Sequence, residues 1–99
     1  MKLSKEELEE KILSGFTGGV DFFTDWCSPC KAMSPVIDSI NAMYESERIY
    51  KINLEEEKDL GKKFEVRSIP TIIIFKNGEE TNRFIGITQK NKIIEALNS

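Results

Sequence analysis

Apolar positions change their spacing from segment to segment along the 99 residues, and each change marks an element. Leu8, Ile12 and Leu13 recur at helical spacing. Ser4 with Glu7 three residues later forms a capping box, and Leu3 and Leu8 occupy the positions of a hydrophobic staple, so a helix is expected from Ser4 to a stop at Gly15. Gly18 and Gly19 read as the break after it. Val20–Thr24 is a short apolar, aromatic-rich run, as in a strand buried on both faces, with Asp21 its anomaly. Met33, Val36, Ile37, Ile40, Met43 and Tyr44 then repeat at three and four, marking a long amphipathic helix with a kink expected near Lys31–Pro35. Phe22, Phe23, Met33 and Met43 are expected in the core.

Ile49–Leu54 alternates as a strand, and Glu55–Phe64 supports a short polar helix that opens on the acidic run Glu55–Glu57. Thr71–Phe75 is β-branched and aromatic, and Lys76-Asn77-Gly78-Glu79 predicts a hairpin into an antiparallel strand over Glu80–Ile85. Thr88 is the expected cap of a last helix carrying Ile93, Ile94 and Leu97. The order α-β-α-β-α-β-β-α, joined by short connections and right-handed crossovers, gives an α/β fold: a mixed four-stranded sheet with helices on both faces. A single domain over residues 1–99 is expected at this length, because one core fills the chain and a second does not fit.

Composition narrows the function. Fourteen basic against seventeen acidic residues leave a net charge of −3, which argues against a grip on nucleic acid or anionic lipid. The longest apolar run, Ile72–Phe75, is far short of the roughly 18 residues that a membrane span needs. The N-terminus turns charged where a secretory signal carries its apolar stretch, so a cytoplasmic protein is expected. Cys27 and Cys30 are the only cysteines and there is no histidine, too few soft ligands within one chain for a zinc site and none for a Cys-His nucleophile pair.

Cys27-Ser28-Pro29-Cys30 falls where a strand gives way to a helix. Unpaired amides and the positive end of the helix dipole there favour a thiolate, so Cys27 is expected to be reactive. Two intervening residues put both cysteines in the first helical turn, close enough to bond, and Pro29 presets φ for that turn. A structural bridge over so short a loop removes little unfolded-state entropy, which favours a redox couple. Metal or cluster binding between two chains is the other use of such a pair.

Trp26-Cys27-Ser28-Pro29-Cys30-Lys31 resembles the Trp-Cys-Gly-Pro-Cys-Lys motif of the thioredoxin family. The similarity extends through Val20-Asp21-Phe22, Pro35, Lys51, Ser68-Ile69-Pro70-Thr71, Lys76-Asn77-Gly78 and Gly86. It implies the thioredoxin fold, thiol-disulfide exchange on disulfide-containing proteins, recharging by a thioredoxin reductase, and no dissociable cofactor or metal. On this resemblance Asp21 is the buried acid beneath the pair, exchanging a proton with Cys30, and Lys51 tunes it. Read without the resemblance, Asp21 is a strand-end acid reaching water, Lys51 an exposed strand lysine, and Ile69-Pro70 strand punctuation. The resemblance makes Pro70 a cis proline facing the cysteines and Ile69 a donor of strand-like hydrogen bonds. Trp26, Ser28, Pro29, Ile69, Pro70, Ile85, Gly86 and Ile87 then surround Cys27 as the substrate-binding surface of an expected monomer.

Three departures stand out. Ser28 replaces the usual glycine, Phe23 stands where a second tryptophan is frequent, and the N-terminal strand is shortened to nothing before Ser4. Ser28 leaves open an isomerase or oxidant with a less reducing potential. A non-catalytic module that binds partners through the apolar surface is the alternative from another class.

Overall fold

The computed structural model describes residues 2–99. Its elements are α1 (Lys5–Leu13), β1 (Gly18–Phe23), α2 (Ser28–Asn41), β2 (Ile49–Asn53), α3 (Lys58–Lys63), β3 (Thr71–Lys76), β4 (Glu79–Ile85) and α4 (Lys90–Asn98). The sheet order is β2-β1-β3-β4, with β1 parallel to β2 and antiparallel to β3, and β3 antiparallel to β4. The mixed four-stranded sheet expected from the sequence is therefore present.

Alternation along the strands divides the core in two. Ile49, Ile72 and Ile74 point to one face, where Met33, Ile37 and Ile40 of α2 and Ile93, Ala96 and Leu97 of α4 cover them. Val20, Phe22, Ile52, Ile73 and Phe75 point to the other, under Leu8 of α1 and Leu60 of α3. Both faces of the central strands β1 and β3 are thus closed, which explains their unbroken apolar runs.

Local chemistry sets the element ends. Ser4 Oγ accepts from the Glu7 amide at 3.2 Å while Glu7 Oε1 accepts from the Ser4 amide at 2.9 Å, the reciprocal cap expected for α1. Gly18 and Gly19 belong to β1 rather than preceding it: the Gly19 amide donates to the Arg48 carbonyl at 2.7 Å, and a Cβ on Gly18 would collide with that carbonyl. α2 continues through Pro35 as one helix but stops at Asn41, two residues before Met43, which is 54% exposed instead of core. The Asn41 side chain ends it, accepting from the amides of Arg48 and Ile49 at 3.0 and 2.9 Å and so tying the helix end to the start of β2. Thr88 does not cap α4. Gln89 holds the cap position and the Thr88 hydroxyl donates to the Gly86 carbonyl at 3.2 Å. The N-terminal strand is reduced to one bridge, Lys2 beside Lys51, with the Leu3 amide donating to the Lys51 carbonyl at 2.8 Å.

Asn77 and Gly78 both take positive φ, 53° and 82°, as the tight turn between β3 and β4 requires. Gly86 is also at positive φ, 80°, but with open space around its α-carbon, whereas a Cβ on Gly78 would strike the Ile12 carbonyl. Gly86→Ala should therefore cost about 1 kcal/mol of stability from backbone strain alone. Gly78→Ala should cost clearly more, and urea unfolding of the two variants checks the order.

Candidate active site

Antiparallel pairing brings the functional segments to one end of the sheet. β1 finishes at Phe23, beside the start of β3 at Thr71, which in turn pairs with Ile85 at the end of β4. The loop into α2, the Ile69–Pro70 segment and residues 85–88 consequently share that end. Two bonds fasten them: the Gly86 amide donates to the Pro70 carbonyl at 2.8 Å, and the Thr88 amide to Met33 Sδ on α2 at 3.5 Å.

Cys27 is the N-cap of α2, and its carbonyl accepts the first helical bond, from the Lys31 amide at 3.1 Å. Its Sγ accepts from the Cys30 amide at 3.1 Å, so the sulfur lies against an unpaired donor of the first turn. The two cysteines are joined as a disulfide with Cα atoms 5.2 Å apart. Ser28 and Pro29, both exposed, fill the turn between them. Both cysteines are only 5% exposed, while Trp26 beside them is 69% exposed, and Ile85 and Ile87 are 63% and 70% exposed. Ile69 is half-buried and joined by a cis peptide bond to Pro70, which is buried.

Asp21 sits in the middle of β1, in register with Lys51 on one side and Ile72 on the other. It faces α2, is 2% exposed, and its Oδ1 has no hydrogen-bond partner, as is also true of the buried Thr24 hydroxyl. A cavity of about 520 Å³ opens onto it, walled by Phe23, Asp25, Cys30, Ser34 and Lys51 among others. Phe23 is thus a half-buried cavity wall, while Phe22 is a core aromatic. Burial pushes the Asp21 carboxyl up from 3.8 to about 6, and the positive charge of Lys51 works against that rise. Lys51 is not a free surface lysine: its ammonium donates to Ser34 Oγ at 3.1 Å and lies 3.6 Å from Asp38 Oδ1. The sequence reading missed Ser34 and Asp38. The signal was their spacing of four, which places both on one side of α2.

Cys27 and Cys30 are thus paired on a helix cap, Asp21 is buried in a cavity that Cys30 also lines, and the Ile69–Pro70 bond at the same end of the sheet is cis. A model of the thioredoxin family matches residues 1–99. The chain belongs to the thioredoxin family. It is 38% identical to a thioredoxin of Rickettsia bellii over 99 residues, covering 98% of this chain and 94% of the relative. It is 39% identical to a thioredoxin of Chlamydia caviae over 96 residues, covering 97% and 93%. The crystal structure of oxidised mitochondrial thioredoxin 3 from Saccharomyces cerevisiae superposes with a TM-score of 0.85 at 27% identity, over 99% of this chain and 92% of that one. The fold is the thioredoxin fold, and with Cys27 and Cys30 paired the protein is a thiol-disulfide oxidoreductase that reduces protein disulfides. Family membership implies disulfide-bearing protein substrates and a reductase that recharges the pair. Among the described residues no helix is long and apolar enough to cross a membrane.

The buried acid has a stability consequence. Because the folded protein holds the Asp21 proton more tightly than the unfolded chain does, its favourable contribution is complete below about pH 4 and is lost as pH rises through about 6. Asp21→Asn should therefore stabilise the oxidised protein by about 2–3 kcal/mol at pH 7, a gain that shrinks towards zero near pH 4. Urea unfolding at the two pH values checks this, and an equal gain at both would contradict the assignment.

Proposed function

We propose that Cys27 is the attacking thiolate and Cys30 the resolving thiol of a cytoplasmic, monomeric protein-disulfide reductase whose single domain is residues 1–99. The observation that carries the assignment is the position of Cys27 Sγ at the cap of α2, against the Cys30 amide at 3.1 Å. In the reduced protein that amide and the helix dipole stabilise a thiolate at Cys27. The thiolate attacks one sulfur of a target disulfide, forming a mixed disulfide and releasing the other sulfur as a thiolate. Cys30 then loses its proton to the Asp21 carboxylate and attacks Cys27 Sγ. The Cys27–Cys30 bond forms, the mixed disulfide breaks, and two electrons have passed to the target. Asp21 suits this proton transfer because its pKa of about 6 leaves it largely ionised at neutral pH yet able to hold a proton. Lys51 moderates that affinity through its charge.

Substrate binding belongs to the surface around the pair. Trp26, Ser28, Pro29, Ile87 and Ile85 offer exposed, mainly apolar contact, and Gly86 leaves room for a chain to approach. Ile69 and Pro70 lie just outside the β3–β4 ladder, whose last pair is Thr71–Ile85, which supports the reading that the Ile69 backbone receives an extended segment as an added strand. Recharging falls to a thioredoxin reductase drawing on NADPH, in a reducing compartment where the dithiol form is maintained.

Single-cysteine variants separate the two sulfur roles. With dithiothreitol as electron donor and a disulfide-containing protein as substrate, Cys27→Ser should abolish turnover, by about 10³-fold or more. Cys30→Ser should accumulate a mixed disulfide visible by mass spectrometry. Turnover that survives Cys27→Ser would overturn the assignment.

A further inference from the structure

The helix that delivers the cysteines also captures the lysine opposite the buried acid. Lys51 and Asp21 are register partners on β2 and β1, so their side chains leave the sheet on the same face, beneath α2. The ammonium nevertheless bonds to α2: Ser34 Oγ accepts from it at 3.1 Å and Asp38 Oδ1 lies at 3.6 Å, while Asp21 Oδ1 has no partner among the described residues. Ser34 and Asp38 are one helical turn apart, half-buried and exposed respectively, and form a polar track leading from the cavity to solvent. A four-carbon stem gives Lys51 two places for its charge, inward over Asp21 or outward on this track.

We propose that Ser34 and Asp38 are positioning residues that hold the Lys51 ammonium on α2, away from Asp21, and thereby set how readily Asp21 gives up its proton. The proposal rests on the reading of Asp21 as the proton acceptor for Cys30. The remaining charged groups around the cavity are differently engaged. Lys2 lies 3.8 Å from Glu56, Asp25 accepts from Asn53 Nδ2 at 3.3 Å, and Lys31 is exposed at the first turn of α2. From β3 the neighbour in register is the uncharged Ile72. Lys51 is therefore the cation whose position controls the field at Asp21, and Asp38 is the anion that competes for it. Coulomb energy at an effective dielectric of about 20 changes, for an ammonium drawn one to two ångströms closer, by enough to move a carboxyl titration by about half a pH unit.

The test is the titration of the Asp21 carboxyl carbon, followed by NMR in the oxidised protein. Asp38→Asn should lower the Asp21 midpoint by about half a unit, and the Ser34→Ala/Asp38→Asn double variant should lower it at least as far. Both substitutions lie at solvent-accessible positions of α2, and the NMR spectrum itself reports whether the fold is kept. In a Lys51→Met background the same changes should leave the midpoint where Lys51→Met alone puts it. An unmoved midpoint in Asp38→Asn would overturn the proposal. So would an equal drop in the Lys51→Met background, since Asp38 would then act on Asp21 directly. The pH profile of disulfide reduction should shift with the midpoint. A moved midpoint with a fixed profile overturns the role of Asp21 as proton acceptor while leaving the positioning of Lys51 intact.

Discussion

A ring closed between two cysteines of one helical turn changes the entropy of the chain very little, so whether it forms or opens is decided by what surrounds the two sulfurs. In this protein the surroundings come from three separate parts of the sequence. α2 supplies the amide that faces Cys27 Sγ, β1 supplies the carboxyl that shares a cavity with Cys30, and the segment leading into β3 holds the Gly86 amide through the Pro70 carbonyl at the same end of the sheet. None of them can be repositioned independently, because β1 and β3 are the two central strands and both are covered on each face. The sheet thus fixes the environment that gives the couple its chemistry.

That rigidity is what allows an unfavourable group to persist. A carboxyl in a central strand, with one oxygen lacking a hydrogen bond, works against folding at neutral pH. Among the described residues, twelve large side chains that are essentially inaccessible, from Leu8 to Ile93, provide the burial that offsets it. The cavity beside Asp21 leaves it a route to solvent through a wall of Lys2, Asp25 and Lys51. Buried acid, polar passage and paired thiols are the groups that the proposed proton transfer from Cys30 would use, and a cost of this kind marks a place of function rather than of stability.

Much of this was legible in the sequence because its signals are local. The Ser4–Glu7 cap, the Asn77-Gly78 turn and the four-residue cysteine motif each specify a conformation within one turn of chain. Asp21 was legible by contradiction, as a charge within an apolar run. The misreadings have the opposite character. Helical periodicity carried α2 past Asn41 to Met43, and only the bonds between Asn41 and the Arg48–Ile49 segment show why the helix ends. Thr88 satisfies every local rule for a cap, yet its hydroxyl is taken by the Gly86 carbonyl. Gly18 and Gly19 read as breakers, although the missing side chain of Gly18 lets β1 lie against the Arg48 carbonyl and that of Gly19 leaves room for Ile49 and Ile74. The partners of Lys51 lie on a different element, Ser34 being 17 residues away, so the spacing of four between Ser34 and Asp38 marks a shared side of α2 but not the lysine that meets it.

The central claim is that the Cys27–Cys30 couple is a reductant, and its redox midpoint tests that most directly. Equilibration against defined dithiol buffers, followed through the fluorescence of Trp26, the only tryptophan, and confirmed by mass, yields the two-electron potential. A midpoint close to about −270 mV, the value known for thioredoxin itself, is the expected result. A midpoint of roughly −200 mV or higher would contradict the account and assign the same residues to disulfide isomerisation or oxidation.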